Sequence, residues 1–212
     1  ICNSYERGGD ATGFYTPNTG IIKNTDKAHN FIKAGKLDNL KDDKVLIGHL
    51  RKSSVGGNTE NNAHPFKEDN IILCHNGTLQ QYVTLGNKYN IDFKDYTTDS
   101  QLLTKIIAKE IKENGIDKYP SVLTEYVGAA TLLYYDEESQ ILFVHRDKDR
   151  ELFYGFLDNN IYISSIEHSL INIGCFDVKP FNQSDLYLIK EGQIINIIKS
   201  PNDAVNSEDN YI

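Results

Sequence analysis

The sequence lacks methionine and tryptophan and has only three cysteines among its 212 residues. These cysteines, Cys2, Cys74 and Cys175, are odd in number and widely spaced, which argues against a disulfide framework and matches no zinc-ribbon spacing. We therefore expect Cys74 and Cys175 to be buried free thiols in a reducing, cytoplasmic compartment, and we expect no metal site. Translation starts at methionine and the printed chain starts at Ile1, so we also expect a segment ahead of Ile1.

The sequence also lacks a surplus of positive charge, because 22 Lys and Arg face 30 Asp and Glu and leave a net charge of −8. That balance argues against affinity for a phosphate backbone, so we expect no nucleic-acid partner. No apolar run approaches the ~18–20 residues that span a bilayer, so we expect no membrane partner. There is no phosphate-binding P-loop, and we expect no cofactor. At ~100–200 residues per domain, we predict one domain over residues 1–200 and a polar tail over residues 201–212.

Short apolar runs predict strands and helices in the first half of the chain. Residues 71–74 predict a buried strand that stops at a turn signal in residues 75–77. Residues 45–51 predict another strand. Residues 98–115 carry the strongest helix signal, with a Thr-Asp start and a glycine stop. The Thr-Asp pair at residues 25–26 predicts the start of an earlier helix.

The second half of the chain is dominated by strand patterns. A short helix is predicted to start within residues 164–167. Polar turn residues separate neighbouring strands and predict antiparallel hairpins at residues 136–139 and 191–192. The predicted strands are residues 129–135, 141–145, 160–164, 185–190 and 193–199. Sheets must bury their faces, so the expected fold class is α+β, with layered antiparallel sheets covered by helices.

Three short polar segments follow predicted strands, where binding and catalytic residues are often placed. The segments are residues 48–54, 62–66 and 75–77. Arg51 carries a rigid fork of donors that suits a carboxylate, and Asp99 at a helix start suits an ammonium group. The side-chain amide of Asn76 beside the backbone N–H of Gly77 has the composition of an oxyanion hole. Together these groups predict a pocket for an amino acid whose side-chain carbonyl is attacked.

Each of these residues also has a simpler interpretation. Arg51 suits a surface ion pair, Asp99 suits a helix N-cap, and an Asn-Gly pair at residues 76–77 suits a tight turn. The histidines near Cys74 suggest a metal site, although their spacing matches no zinc motif. The individual signals are weak, and their order along the chain carries more information.

That order resembles the class II glutamine amidotransferases. Residues 7–13 (RGGDATG) resemble the family signature RGxD(S/A)xG, and residues 47–51 (IGHLR) resemble its GHTR strand. Residues 62–65 (NAHP), 75–77 (HNG) and 98–100 (TDS) follow in the family order. The resemblance implies the N-terminal-nucleophile hydrolase fold, a four-layer αββα sandwich of two antiparallel sheets. It also implies a glutaminase that hydrolyses the L-glutamine side-chain amide through a thioester on an N-terminal cysteine.

The family roles transfer to matching positions of this chain. By resemblance, Arg51 binds the glutamine α-carboxylate, Asp99 binds its α-amine, and Asn76 with Gly77 forms the oxyanion hole. Residues 52–57 match a loop that closes over the substrate. The other implied site residues are the substrate contacts Ser54 and His75 and the supporting residues Arg7, Asp10 and His64.

The nucleophile is expected upstream of Ile1. Cys2 lies five residues before Arg7, which leaves no room for the first strand and helix of the family, and Ile1 acylates its amine. We therefore interpret Cys2 as structural, and Cys74 as a poor substitute inside a strand. The alternatives are a protein without a nucleophile that serves a structural or interaction role, and a hydrolase of another amide. If the main interpretation holds, ammonia passes to a synthase partner; the sequence predicts no oligomeric state.

Overall fold

The computed structural model describes residues 9–38, 40, 43–53 and 56–201. Within these residues the chain forms twelve β-strands and five α-helices. The strands are β1 (Ala11–Thr16), β2 (Gly20–Asn24), β3 (Ile47–Arg51), β4 (Phe66–Glu68), β5 (Ile71–Gly77), β6 (Ala130–Asp136), β7 (Ile141–Arg146), β8 (Phe153–Leu157), β9 (Asn160–Ser164), β10 (Phe176–Pro180), β11 (Leu186–Lys190) and β12 (Gln193–Ile198). The helices are α1 (Ala28–Lys33), α2 (Tyr82–Lys88), α3 (Asp99–Asn114), α4 (Ser121–Glu125) and α5 (Glu167–Asn172).

The strands form one large sheet and two small ones, all with antiparallel neighbours. The large sheet has the order β12-β11-β7-β6-β5-β4. The first small sheet has the order β2-β1-β3 and the second has the order β10-β8-β9. Both small sheets pack on the same face of the large sheet, because Leu133 and Leu142 contribute to both of the apolar clusters beneath them.

Helices cover the outer faces of this double layer. The apolar face of α3, including Leu102, Leu103 and Ile106, packs on the large sheet against Leu73 and Leu132. Helix α1 covers the first small sheet, and α5 packs on the second. The layers therefore run helix, sheet, sheet, helix, and the predicted four-layer αββα fold is confirmed. Among the described residues, no helix combines the length and the apolar character that crossing a bilayer requires.

The long helix and the C-terminal hairpins form where the sequence predicted them. Helix α3 has a capping box in which Thr98 accepts from the N–H of Gln101, and it ends at Gly115 with φ of 91°. Hairpins join β6 to β7 and β11 to β12 across the predicted turns. These segments combine a buried apolar run with a turn residue, so local sequence is enough to define them.

Two local predictions were wrong. The first helix starts at Ala28, with Lys27 rather than residues 25–26 at its N-terminus, because strand β2 pairs with β1 as far as Asn24 and residues 25–26 form the connection that follows it. Strand β5 does not stop before His75 but continues to Gly77, because its ladder with β6 runs until Gly77 pairs with Ala130.

Candidate active site

The ends of strands β3 and β5 meet in the inner layer, between the large sheet and the first small sheet. Ile47 of β3 packs there against Ile72 and Cys74 of β5. Side chains two or four residues apart on a strand share a face, so Arg51 on β3 and Asn76 on β5 also face this layer. The fold therefore brings a guanidinium group and a side-chain amide, predicted from separate motifs, to one end of the molecule.

Arg51 is buried, and its guanidinium group anchors the loop that follows β3. Its Nη1 donates to Ser53 Oγ at 3.0 Å and to the Gly57 carbonyl at 2.7 Å. Asp10 fixes the same loop, since its Oδ2 accepts from the Ser53 N–H at 2.7 Å. Burial lowers the pKa of Arg51, while the carboxylates of Asp10 and Asp99 act in the opposite direction. Arg51 thus lies within the electrostatic reach of both acids.

The Asp99 carboxylate connects α3 to the segment that follows β5. Asp99 is the first residue of α3 and the N-cap is Thr98, so capping is not its role. Its Oδ2 accepts from the Leu79 N–H at 2.7 Å. Burial raises the pKa of Asp99, and hydrogen bonds from Leu79 and Ser100 act in the opposite direction. A buried carboxylate held by N–H donors beside an arginine is suited to an ammonium group.

Asn76 and Gly77 lie at the end of β5 as strand residues, and the tight-turn interpretation is therefore wrong. Among the described residues, the Asn76 side-chain amide has no protein partner, and it faces the inner layer. The Thr78 N–H donates to the Ala129 carbonyl at 3.2 Å, which extends the β5–β6 ladder. N–H groups alternate in direction along an antiparallel strand, so the Gly77 N–H points away from β6.

Gly77 has a steric reason to be glycine. A Cβ at this position would lie 1.8 Å from the Ala129 carbonyl oxygen and 2.6 Å from His75 Nε2. Any side chain would therefore displace backbone. The glycine sets how closely residues 125–129 approach the end of β5.

His75 is enclosed by the protein. Its Nδ1 lies 2.9 Å from Ser100 Oγ, and its Nε2 lies 2.7 Å from the Tyr126 hydroxyl. Burial, with a smaller contribution from Arg150, lowers the pKa of His75 to about 3, so the ring is neutral. Both ring nitrogens are engaged within the protein, which leaves the backbone of His75 for any substrate contact.

His64 packs on His49 beneath the site. The two rings have centroids 4.3 Å apart, and the His64 nitrogens are buried without a hydrogen-bond partner among the described residues. Burial lowers the pKa of His64, and the positive charges of Arg51 and Lys23 lower it further. The described residues contain no group of three or more His, Cys, Asp or Glu placed to hold a metal ion.

The structure describes only some of the remaining residues that the sequence analysis singled out. Arg7, Ser54 and Cys2 lie outside the described residues. Cys74 is buried in the inner layer, and burial raises the pKa of its thiol. Since the thiolate is the nucleophilic form, Cys74 is poorly suited to attack a substrate.

Sequence reasoning missed Ser53, Ser100, Tyr126 and Arg150. Ser100 follows Asp99 in the helix and had a local signal, namely its place in the resemblance motif. Tyr126 lies 51 residues after His75, so only the folded chain brings its hydroxyl to the ring. Arg150 is close enough to lower the pKa values of both His75 and Tyr126.

A separate polar cleft of about 570 Å³ lies nearby. It is lined by Gly56, Asn62, Thr97 and Gln101, among others. Neither Arg51 nor Asp99 lines it. The cleft is therefore distinct from the site at the ends of β3 and β5.

Sequence comparison finds one matching family model. It describes a glutamine amidotransferase domain and matches residues 34–200. The chain is 29% identical over 200 residues to an amidophosphoribosyltransferase of Methanocaldococcus jannaschii, covering 89% of this chain and 42% of that protein. It is 24% identical to a glutamine–fructose-6-phosphate aminotransferase of Bacillus spizizenii, covering 97% of this chain and 35% of that protein. The chain thus spans less than half the length of these relatives.

Structural comparison agrees on the fold. The glutamine phosphoribosylpyrophosphate amidotransferase of B. subtilis superimposes with a TM-score of 0.73 at 19% identity, covering 93% of this chain and 44% of that one. A predicted glutamine amidotransferase of Pseudomonas aeruginosa superimposes with a TM-score of 0.55 at 17% identity, covering 90% of this chain and 91% of that one.

Proposed function

Because this chain belongs to the glutamine amidotransferase domain family, in its class II, N-terminal-nucleophile branch, we propose that it hydrolyses the side-chain amide of L-glutamine to glutamate and ammonia. One observation carries the proposal. Arg51 and Asn76 face the inner layer at the ends of β3 and β5, Gly77 follows Asn76, and Asp99 at the start of α3 lies close enough to Arg51 to oppose the fall in its pKa. Their groups are complementary to an α-carboxylate, an α-ammonium and a developing oxyanion.

In the proposed complex, the Arg51 guanidinium group binds the α-carboxylate, and its Nη1 contact with the Gly57 carbonyl holds the loop that follows β3. Asp99 accepts from the α-ammonium group. A cysteine thiolate attacks the amide carbon, and the oxyanion that forms accepts from the Asn76 amide and the Gly77 N–H. Ammonia leaves with a proton, a glutamyl thioester remains, and water hydrolyses it.

The proposal places the nucleophile on an N-terminal cysteine ahead of residue 1. Among the described residues, β3 is an edge strand that pairs only with β1. Cys74 is an unsuitable substitute because its thiol is buried and its pKa is raised. Ser54 is proposed as a further substrate contact, and Arg7, Asp10 and His64 as supporting residues.

Ammonia transfer to a synthase partner is part of the proposal. The curated relatives are named for two different transfers, to a phosphoribosyl group and to fructose 6-phosphate. Both are more than twice as long as the matched region, which supports an acceptor carried by a partner domain or chain. The free cysteines Cys74 and Cys175 support a cytoplasmic location.

The test is ammonia release from L-glutamine by the full-length protein with its native N-terminus. We expect Asn76→Ala to lower kcat by ~10²–10³, as for removal of one oxyanion donor. Arg51→Lys keeps the charge but loses the fork, so we expect KM to rise by about tenfold. The matched control is Asn114→Ala, which removes an exposed amide at the end of α3.

The alternatives give different results. A full-length protein that starts with cysteine and still releases no ammonia, alone or with its partner, would sink the glutaminase proposal. Strong preference for an amide without an α-carboxylate would favour a hydrolase of another substrate. Equal activity of Asn76→Ala and Asn114→Ala would remove Asn76 from the site.

A further inference from the structure

A line of hydrogen bonds runs from Tyr126 through His75 to Ser100, the residue that follows Asp99 at the start of α3. The Tyr126 hydroxyl lies 2.7 Å from His75 Nε2, and His75 Nδ1 lies 2.9 Å from Ser100 Oγ. The Ser100 side chain lies close enough to the Asp99 carboxyl group to act toward a lower pKa, against the rise that burial causes. The three inner members, His75, Ser100 and Asp99, are each at most 6% exposed, so water does not compete for these bonds.

The direction of each bond follows from the number of available protons. An ionised carboxylate only accepts, so in the inferred arrangement Ser100 directs its single hydroxyl proton to Asp99. Ser100 Oγ then accepts from His75, which requires the proton of the neutral ring on Nδ1. His75 Nε2 is left as an acceptor, and Tyr126 donates to it. The Ala129 carbonyl, at 3.4 Å, is a longer and weaker alternative acceptor for the Tyr126 hydroxyl.

We propose that Tyr126, His75 and Ser100 form a relay that orients and stabilises the Asp99 carboxylate for the substrate ammonium. The inference rests on the proposed function, since it deepens the role of Asp99. Tyr126 and Ser100 act as positioning residues, because each reaches the substrate through another group. The relay also gives His75 a function that leaves its ring away from the substrate.

Tyr126 is held in place independently of its hydroxyl. The Gln80 N–H donates to the Val127 carbonyl at 3.0 Å, and the Val127 N–H donates to Gln81 Oε1 at 3.0 Å. Residues 125–129 are therefore fastened to the segment after β5 on both sides of Tyr126. Removing the hydroxyl alone should leave the ring in position and cut the relay at its first bond.

The test uses the full-length protein with Tyr126→Phe, Ser100→Ala and the matched control Tyr119→Phe. Tyr119 also packs edge-on against a buried histidine, His145, with ring centroids 6.1 Å apart. Its hydroxyl donates to the Ser184 carbonyl at 2.7 Å and lies 3.5 Å from His145 Nδ1, a longer contact than the 2.7 Å between Tyr126 and His75. The first readout is the His75 tautomer by long-range ¹⁵N NMR. We expect the Nδ1–H tautomer in the parent protein and a switch to Nε2–H in Ser100→Ala.

The second readout separates KM from kcat. Loss of one hydrogen bond behind a charged group should raise KM for L-glutamine by about tenfold in Tyr126→Phe, with kcat changed less than about threefold. Glutaramate lacks the α-amine, so its kcat/KM should change less than about twofold. Tyr119→Phe should match the parent with both substrates, and thermal unfolding of each variant checks that it folds.

Several results overturn the inference. An Nε2–H tautomer in the parent protein reverses the proton directions and removes the relay. Equal losses with glutamine and glutaramate show that Tyr126 does not act through Asp99. If the parent and every variant release no ammonia, the proposed function fails, and direct binding of L-glutamine then decides whether Tyr126→Phe weakens the Asp99 contact about tenfold as the relay requires.

Discussion

Substitution of Gly77 by alanine tests the packing that positions the candidate oxyanion hole. The new Cβ would lie 1.8 Å from the Ala129 carbonyl oxygen, whereas Cβ atoms need at least 3.0 Å, so a displacement of about 1.2 Å is required. Ala129 is held in place, because its carbonyl accepts from the Thr78 N–H. The next residue, Ala130, accepts from the Asp147 N–H and donates its own N–H to the Asp147 carboxylate. The end of β5 must therefore shift away from residues 125–129.

The structure sets the expected magnitudes. Forcing one methyl group into a packed site costs ~1–3 kcal/mol in the free energy of unfolding. A displacement of roughly 1 Å in a catalytic group costs about 10²-fold in rate. We therefore expect Gly77→Ala to be measurably less stable in urea and to lose about two orders of magnitude in kcat/KM for L-glutamine.

The matched control is Gly48→Ala in β3. Its Cβ would meet neighbours no closer than 3.7 Å, which is ordinary contact, so stability and activity should be unchanged. Parent-like stability and activity in Gly77→Ala would refute the steric reasoning. A loss of stability without a loss of activity would show that Gly77 is packed tightly but lies outside the site.

Two further predictions concern buried titratable groups. Burial lowers the pKa of His75 to about 3 and of His145 to about 4, whereas in the unfolded chain each titrates near 6.5. Below pH 6.5 the folded state therefore binds fewer protons than the unfolded state. As the pH is lowered from about 6.5 to 4, the free energy of unfolding should fall by up to about 1.4 kcal/mol per histidine for each pH unit. A urea midpoint that stays constant across this range would contradict the prediction. Cys74 is 3% exposed with a raised thiol pKa, so under native conditions a thiol reagent should label the half-buried Cys175 first and Cys74 only on unfolding.

The parts of the fold that sequence predicted are those with a complete local signal. Helix α3 combines a capping residue, an apolar face and a glycine stop, and β9 lies at residues 160–164 as its pattern predicts. Strands β1, β2, β4, β8 and β10 and helices α2 and α4 were not predicted. β10 carries only exposed or half-buried residues, and it is a strand because Phe176–Pro180 pairs with β8. Such a segment has no local reason to be extended, so sequence periodicity could not identify it.

The candidate site also has features that local sequence determines and features that depend on strand pairing. The sequence identified Arg51, Asn76 and Asp99 as candidates because each lies near the end or at the start of an element with a local signal. The prediction that β5 stops at His75 failed because the length of a strand depends on its partner, here β6. Residue type therefore indicated the chemistry of the site, while the register of β5 determined which face each side chain took.

That register links the proposed oxyanion hole to the packing of residues 125–129. Side chains alternate along β5, so Asn76 faces the inner layer while His75 and Gly77 face the helices and residues 125–129. The backbone that carries the Asn76 amide is therefore held through the two neighbouring residues that contact Tyr126 and Ala129. The donors of the proposed oxyanion hole are fixed by contacts on the opposite face of their own strand. A shift of residues 125–129 should consequently change catalysis even though none of them faces the inner layer.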